Sequence, residues 1–397
     1  MNAAQRSHDV IIAGGGPAGS TAATLLAQHG HSVLLLEKER HPRFHIGESM
    51  MPYIEPVMQR LGMDWGEGNL RKSGADFIDE ESGRQLFFSL QNRYGTYQLE
   101  RCEFDRKLFD NAIAHGVEGH QQEKVLQADC SQNGVEVRTE RGVYQGRYFI
   151  DASGRSALLG RKQKSIQRLE NLGRFALYRH FQVGHSPEID AVFATGNIKI
   201  LLADIGWLWL IPMTGRRFSI GLVVQQDKPK GVAKQELLQQ YIDASPLLIT
   251  LLKDACPVAE MQVEADFSYI NQRRYGQRYA CCGDAAGFLD PVFSSGVFFA
   301  VKTAEFIADR VHLGLRDNNE ADPQLHAVDD EKYQIGFKTM HLLIERFYRS
   351  RLIHNLVFEA DRHPRIKQEV TALLAGDLWQ EDNMFQQGLL RGRRSKG

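Results

Sequence analysis

The chain is poor in cysteine and carries no cysteine pattern that would hold a metal ion. Its 397 residues include five cysteines, Cys102, Cys130, Cys256, Cys281 and Cys282. Their odd number gives no disulfide framework, and their spacing matches no zinc motif. The adjacent Cys281 and Cys282 are therefore predicted to lie in a buried strand, and no metal site is expected.

Excess charge and long apolar runs are also missing. The formal net charge is −1, so the composition indicates neither a nucleic acid nor an anionic membrane as a partner. No run of about 20 apolar residues predicts a membrane span, and no secretory segment is recognised at the N-terminus, so a cytoplasmic protein is expected. Hydrophobic residues make up 43% and charged residues 24%, as in an ordinary globular protein. The length suits two packed domains.

Glycine is plentiful, and a glycine-rich loop separates two predicted strands over 9–13 and 32–36. The loop consists of Gly14, Gly15, Gly16, Pro17, Ala18 and Gly19, which fit the pattern G-x-G-x-x-G. In such a loop the first glycine permits a tight turn, and the second lets the backbone approach a pyrophosphate. The third lets the following helix pack against the strand. The N-terminus of that helix then offers free N–H groups to phosphates.

Glu37 ends the second predicted strand, 18 residues after Gly19. A carboxylate at this place accepts hydrogen bonds from a ribose diol. Lys38 follows it and completes this part of the predicted cofactor site. Strand, loop, helix, strand and carboxylate together predict a dinucleotide-binding unit. Further along, the alternating pattern over 167–275 predicts an antiparallel sheet.

Three further segments indicate that the dinucleotide is FAD. The sequence GDAAG at 283–287 resembles the second fingerprint of the FAD-dependent hydroxylase superfamily, which implies that Asp284 binds a ribitol hydroxyl. A helix N-cap is the other role open to Asp284. The sequence DASG at 151–154 resembles a strand-end motif of the same superfamily, and Arg101 matches an arginine that lies against the cofactor.

This resemblance implies an α/β fold with a Rossmann-like FAD-binding domain and an inserted antiparallel sheet. The FAD-binding domain comprises 1–166 and 276–330, the substrate domain 167–275, and a C-terminal helical region 331–397.

The sequence WLWLIP at 207–212 matches the W-x-W-x-I-P signature of the flavin-dependent halogenases. Alternation along a strand places Trp207 and Trp209 on one face. There the two indoles can separate the flavin from the organic substrate, so that halide reacts first. Two tryptophans in the core of a sheet are the alternative.

The sequence KSGADF at 72–77 resembles the stretch that bears the essential lysine of these halogenases. The resemblance implies that Lys72 captures hypohalous acid and presents the halogen to one substrate carbon. An amine whose pKa is lowered by burial suits this role. A surface lysine beside Arg71 is the alternative.

The sequence DPVFSSG at 290–296 resembles the D-P-x-F-S-S-G stretch of the phenol-type and pyrrole-type halogenases. The resemblance implies that Pro291 and Gly296 contact the cofactor and that the amides of Ser295 and Gly296 hold a chloride or bromide. Ser294 would align with a serine near the catalytic lysine. A flavin-contacting turn shared with hydroxylases and reductases is the alternative.

The sequence FHIGESMMP at 44–52 resembles a loop of the carrier-protein-type halogenases. The resemblance implies that Gly47 and Ser49 line the flavin and that Glu48 pairs with a nearby arginine.

These motifs together resemble the flavin-dependent halogenases of the phenol, pyrrole and carrier-protein type. The resemblance implies an enzyme that uses reduced FAD, oxygen and halide to halogenate an electron-rich substrate, with Lys72, Ser294, Trp207 and Trp209 as catalytic residues. The substrate is a small molecule, a group tethered to a carrier protein, or a protein. A separate flavin reductase is implied, because only one G-x-G-x-x-G loop is present.

Two other functions stay open at this point. One is an FAD-dependent monooxygenase or oxidoreductase on the same fold, including a protein-modifying flavoenzyme of the tryptophylquinone-maturation kind. The other is a flavin-binding sensor or assembly partner without catalytic activity.

Overall fold

The computed structural model describes residues 7–90, 94–170, 172–225, 233–265, 268–349 and 364–392. The end of the predicted C-terminal region, 393–397, lies outside these ranges. Within them, no helix combines the length and the apolar character that a membrane crossing requires.

The strands of three or more residues are numbered here in chain order. They are β1 (Ser7–Ala13), β2 (Val33–Leu36), β3 (Gly74–Asp79), β4 (Arg84–Ser89), β5 (Glu118–His120), β6 (Val125–Ser131), β7 (Gly134–Thr139), β8 (Val143–Asp151), β9 (Ile166–Arg168), β10 (Arg174–Gln182), β11 (Ile198–Ala203), β12 (Gly206–Met213), β13 (Arg217–Gln225), β14 (Gln262–Ala265), β15 (Tyr269–Asn271) and β16 (Tyr279–Cys281). Two-residue strands lie at Leu70–Arg71, Tyr97–Gln98, Cys256–Pro257, Tyr275–Gly276 and Gly287–Phe288.

The α-helices are numbered in the same way. They are α1 (Pro17–Gln28), α2 (Glu55–Arg60), α3 (Arg101–Ala114), α4 (Leu158–Lys162), α5 (Pro187–Thr195), α6 (Lys234–Ala244), α7 (Pro246–Leu252), α8 (Ser295–Arg316), α9 (Ala327–Arg349), α10 (Pro364–Ala375) and α11 (Met384–Arg391). Short 3-10 turns stand at Pro52–Ile54, Gly154–Ser156, Gly283–Ala285 and Pro291–Phe293.

The first sheet is built around β1, which pairs in parallel with β2 on one side and β8 on the other. β16 extends it in parallel beyond β8, and β5 beyond β2. Val10, Ile11 and Ile12 are fully buried. A strand that is apolar on both faces is typical of a parallel sheet covered by helices. α1 packs against both α3 and α8.

The glycine loop joins β1 to α1 in the way that the sequence predicts. Gly14 has a φ of +105°, and a Cβ there would clash with the carbonyl oxygen of Ala152. A Cβ on Gly19 would clash with the carbonyl oxygen of Gly14. Only glycine at these two positions allows the helix to approach the strand so closely.

The second sheet contains the alternating strands predicted over 167–275. β10, β13, β12 and β11 are consecutive antiparallel neighbours. The sheet continues beyond β11 into β3 and β4, which lie earlier in the chain than residue 167, and the β11–β3 pairing is parallel. The sheet is therefore mixed, because it contains one parallel pair among antiparallel pairs. That parallel pair joins strands from two distant parts of the chain.

The two faces of the second sheet pack against different layers. Leu208, Leu210 and Leu222 belong to a core that includes residues of α6 and α7. Trp207 and Trp209 on the opposite face of β12 belong to the larger core shared with the first sheet. The alternation of β12 thus turns both indoles towards the dinucleotide-binding domain.

Candidate active site

A cavity of about 480 Å³ lies where the two sheets meet. Most of the residues predicted for the site line it, namely Gly14, Gly16, Pro17, Ala18, Glu37, Lys38, Gly47, Ser49, Arg101, Trp207, Trp209, Asp284, Pro291, Ser294 and Gly296. Gly19, Lys72 and Ser295 are not among the lining residues that the structure describes. Gly19 lies behind the loop against Gly14, whereas Lys72 and Ser295 are buried beside the cavity.

Two helices direct uncapped N-termini at this cavity. α1 begins after Gly16 and α8 begins after Ser294, and neither helix has a side-chain hydrogen bond that caps its first turn. The first N–H groups of a helix have no partner within the helix and carry the positive end of its dipole. The cavity therefore offers two separate places for negatively charged groups.

Glu37 and Arg43 lie beside the N-terminus of α1. One Glu37 oxygen accepts a hydrogen bond from the Gly15 amide at 2.7 Å, and the other from the Glu39 amide at 2.8 Å. A carboxylate oxygen can accept more than one hydrogen bond, so Glu37 can still bind a hydroxyl. The Arg43 guanidinium is the nearest group to the open face of Gly16. An arginine beside helix amides complements a pyrophosphate.

The half-buried Asp284 lines the cavity. Burial raises the pKa of Asp284 to about 6, although the charges of Arg101 and Arg155 oppose this shift. The 3-10 turn that contains Asp284 has no side-chain cap, so the alternative role as a helix N-cap is wrong. No side-chain hydrogen bond to this carboxylate is present in the described part of the chain. A hydroxyl donor such as that of ribitol fits here.

Arg101 fixes the loop at 44–49 from behind. Its guanidinium donates to the Asp105 carboxylate at 3.0 and 3.1 Å and to the carbonyl oxygen of Ile46 at 2.9 Å. Among the described residues Glu48 pairs with a histidine and with no arginine, so the expected arginine pair was wrong. The Glu48 carboxylate lies 2.7 Å from Nε2 of His180 on β10, which links the loop to the second sheet.

The two indoles lie side by side in the cavity wall. The ring centroids of Trp207 and Trp209 are 5.9 Å apart. The indole N–H of Trp209 donates to Ser219 at 3.1 Å, and that of Trp207 donates to Tyr348 at 2.7 Å. Both side chains are at least 94% buried, with exposed fractions of 2% and 6%. The indoles are therefore part of the sheet core and also part of the cavity wall.

Lys72 is a buried residue, so the alternative of a surface lysine is wrong. Its exposed fraction is 4%, and burial lowers its pKa to about 7. The Nζ atom donates to Oγ of Ser49 at 2.9 Å and to the carbonyl oxygen of Met50 at 2.7 Å. The serine in contact with Lys72 is thus Ser49, whereas Ser294 lines the cavity.

The turn before α8 holds its first amides at the cavity edge. Asp290 accepts a hydrogen bond from the Val292 amide at 3.1 Å and so caps the 3-10 turn. Ser294 follows in a left-handed conformation with a φ of +57°. Ser295 is buried, while the Cα of Gly296 faces open space, since a Cβ there would lie 3.8 Å from the nearest atom, on the Phe288 ring.

The described residues contain no group of three or more histidine, cysteine or acidic side chains that could hold a metal ion.

A protein-family model described as tryptophan halogenase matches residues 9–79 and 84–351 of the chain. The chain belongs to the tryptophan halogenase family. Its relatives include a protein named as a flavin-dependent halogenase of Armillaria mellea.

Three relatives of this halogenase illustrate the similarity. A tryptophan 2-halogenase of Chondromyces crocatus is 32% identical over 329 residues, which are 77% of this chain and 61% of the relative. This chain thus spans under two thirds of that relative's length. A 1H-pyrrole-2-carbonyl-(peptidyl-carrier protein) brominase of Pseudoalteromonas luteoviolacea is 30% identical over 388 residues, 94% of this chain and 92% of the relative. The solved structure of the flavin-dependent brominase Bmp2 is 28% identical with a TM-score of 0.85, and the match covers 97% and 98% of the two chains.

Several residues of the halogenase site were not predicted from the sequence. Arg43, Tyr178, His180 and Arg155 lie at the cavity or against its lining residues. Tyr178 and His180 alternate on β10, so the predicted strand already places them on one face. Arg43 directly precedes the loop at 44–52, which is the signal that could have indicated it.

Proposed function

We propose that this halogenase binds FAD in the cavity and halogenates an electron-rich aromatic group with chloride or bromide. When bound in its reduced form, FAD would supply electrons that activate oxygen, and oxygen would be the oxidant that converts halide to hypohalous acid. The uncapped N-terminus of α1 suits the pyrophosphate, Glu37 suits the ribose, and Asp284 suits a ribitol hydroxyl. The cavity thus has a matching group for the pyrophosphate, for a ribose and for a ribitol hydroxyl.

The halide is expected at the N-terminus of α8. Its first amides, those of Ser295 and Gly296, have no side-chain acceptor, and Gly296 lines the cavity. Backbone N–H groups at a helix N-terminus attract anions, and a glycine allows an anion to approach closely. Trp207 and Trp209 also line the cavity, and in this proposal they keep an aromatic substrate away from the flavin.

The geometry of Lys72 is the observation that carries the proposal. A neutral amine has two N–H donors and one lone pair. Ser49 and the Met50 carbonyl accept from the amine, which leaves the third direction at nitrogen for the lone pair. Because burial brings the pKa to about 7, a large part of the amine is neutral at the pH of a cell. Such an amine can take the halogen from hypohalous acid and transfer it to carbon.

The substrate is proposed to be a pyrrole-like acyl group on a carrier protein. The relative named as a brominase of pyrrolyl carrier protein matches 94% of this chain and is itself matched over 92% of its length. Hypohalous acid reacts with many groups. Tethering favours reaction at one carbon, because it holds the reacting ring at a fixed place. A separate reductase supplies the reduced FAD in this proposal.

The test is bromination of a pyrrole-2-carbonyl peptidyl carrier protein with FAD, a flavin reductase, NADH, oxygen and bromide. We expect a product whose mass shows the bromine isotope pair. Lys72→Met is expected to lower product formation at least about a hundredfold, the scale for loss of one preorganised catalytic group. FAD affinity should stay within about twofold of the wild type, because Lys72 does not line the cavity.

Lys338→Met, which removes an exposed lysine of α9, is the control and should leave product formation unchanged. Full bromination by Lys72→Met would contradict the role of the amine. An oxygenated product that forms equally well without halide would instead identify a monooxygenase.

A further inference from the structure

We propose that Tyr348, on α9, is a positioning residue that couples the Trp207 indole to the turn at the predicted halide site. Tyr348 does not line the cavity, so it acts through its two partners. The inference rests on the proposed function, because it concerns how the two indoles are positioned relative to the turn Pro291–Phe293, here called the halide turn, which precedes the predicted halide site.

The coupling is a directional chain of hydrogen bonds. The Trp207 indole N–H donates to Oη of Tyr348 at 2.7 Å. The Tyr348 hydroxyl donates in turn to the two carboxylate oxygens of Asp290, at 2.9 and 3.0 Å. A phenol has a single proton, so it can serve both neighbours only by accepting from Trp207 and donating to Asp290.

The two ends of this hydrogen-bond chain are buried, and Tyr348 between them is half-buried. Trp207 is 2% exposed and Asp290 is fully buried. Hydrogen bonds in series strengthen one another at low dielectric, and an unpaired member would be costly. Loss of the Tyr348 hydroxyl would therefore remove a hydrogen-bond partner from both the Trp207 indole and the Asp290 carboxylate.

Asp290 transmits the position of Tyr348 to the halide turn. The same carboxylate accepts the Val292 amide and so caps the 3-10 turn Pro291–Phe293. That turn leads through Ser294 directly into the first residues of α8. A displaced Asp290 would thus move the amides of Ser295 and Gly296.

A cation holds the phenol ring from the second sheet. The Arg174 guanidinium of β10 lies 3.4 Å from the centroid of the Tyr348 ring. The Arg174 charge also favours the ionised form of Asp290 and opposes the rise of its pKa caused by burial. The ring is therefore fixed by packing and the hydroxyl by two hydrogen bonds, which is the usual design of a positioning residue.

Tyr348→Phe is the variant that tests the proposal, because it removes one oxygen and keeps the ring. Tyr241→Phe is the matched control. It removes a hydrogen bond from a tyrosine to the Asp204 carboxylate, on the side of the second sheet that faces away from the cavity.

The first measurement uses the apoprotein and needs no turnover. Two indoles 5.9 Å apart give an exciton band in circular dichroism. We expect Trp207→Phe to abolish this band, Tyr348→Phe to reduce it at least about twofold, and Tyr241→Phe to leave it unchanged. Persistence of the full band in Tyr348→Phe would overturn the role of Tyr348 in holding Trp207.

The second measurement uses the FAD-loaded enzyme. Bromide titration of the oxidised holoenzyme, followed by flavin fluorescence, is expected to give at least about a fivefold weaker bromide affinity for Tyr348→Phe, with FAD affinity unchanged. Bromide affinity equal to that of Tyr241→Phe would overturn the link to the halide turn. Brominated product per reduced FAD consumed should fall at least about threefold.

A double variant keeps the test decisive. At saturating bromide, where a weaker bromide affinity no longer limits the reaction, adding Tyr348→Phe to Trp207→Phe should change the product yield by less than about twofold, because the indole that Tyr348 holds is already absent. A further large loss would contradict action through the indole. If the wild type forms no halogenated product at all, the proposed function fails, while the circular dichroism and bromide titrations still decide the role of Tyr348.

Discussion

The amine of Lys72 is buried where a positive charge is poorly solvated, and this lowers the free energy of unfolding. Burial lowers its pKa from 10.5 to about 7. Between these values the unfolded chain binds a proton at Lys72 that the folded protein releases. The destabilisation caused by burying the Lys72 amine is therefore absent above pH 10.5 and grows as the pH falls towards 7.

We predict that the wild type gains about 2 kcal/mol of unfolding free energy relative to Lys72→Met between about pH 7.5 and about pH 9. Urea unfolding of both proteins across this range measures the gain. Other titrating groups cancel in the comparison. A difference that does not change with pH would mean that the amine retains its ordinary pKa in the folded protein.

At the scale of elements, β12 and β13 form the indole wall by a small-to-large pairing. Trp209 stands directly opposite Gly221 in the antiparallel ladder. A Cβ on Gly221 would clash with the Trp209 ring. The indole can lie flat against the sheet because its cross-strand neighbour has no side chain.

We predict that Gly221→Ala destabilises the protein by about 1–3 kcal/mol, the usual cost of overpacking. The indole must also shift towards the cavity, so FAD affinity should fall. Gly142→Ala is a suitable control, because a Cβ there meets nothing within 4 Å. Urea unfolding and FAD titration of both variants measure the two effects. Equal stabilities of the two variants would show that the Trp209 ring is free to move.

The elements differ in how well the sequence predicts them. The strand expected over 207–212 spans Gly206–Met213. The prediction was accurate because strict alternation of tryptophan and leucine is typical of a strand with both tryptophans on one face. The amphipathic pattern over 104–115 predicts a helix, and the helix of the structure starts earlier, at Arg101, because a buried arginine in its first turn breaks that pattern. The pairing of β3 with β11 was not predicted, because local periodicity does not specify which distant strands become neighbours.

The residues of the site also differ in how well the sequence predicts them. The motifs indicate the glycine loop, the indoles and Lys72, since each has a characteristic local sequence. Single residues far apart in the chain have no such signal. The contact of Glu48 with His180 and that of Trp207 with Tyr348 arise only when the two sheets and α9 pack together.

At the scale of the whole molecule, Glu48 and His180 join the dinucleotide-binding domain to the second sheet. Burial lowers the pKa of His180, but the hydrogen bond and charge of Glu48 raise it more, so the net shift is upward. The stabilisation from this pair is therefore complete below the ordinary histidine pKa of 6.5 and is lost as the pH rises through the raised value.

We predict that Glu48→Gln lowers the pKa of His180 and destabilises the protein by roughly 3 kcal/mol at acidic pH, the cost of breaking a buried pair. The loss should diminish above neutral pH. Proton NMR of the histidine ring and urea unfolding at several pH values measure these effects. Asp190→Asn, which breaks the exposed ion pairs of Asp190 with His185 and Arg216, is the control. An unchanged His180 pKa in Glu48→Gln would show that the pair is not ionised.

The parallel contact of β11 with β3 also constrains protein engineering. Because β3 and β4 precede residue 90 and yet complete the sheet that bears the indoles, the segment 167–275 is not a self-contained module. A chimera that exchanges this segment alone would exchange most of a sheet while keeping the parental residues that border it. It would also combine Lys72, two residues before β3, with an indole wall from another parent. Exchanges of specificity between relatives should therefore transfer residues 70–89 together with 167–275.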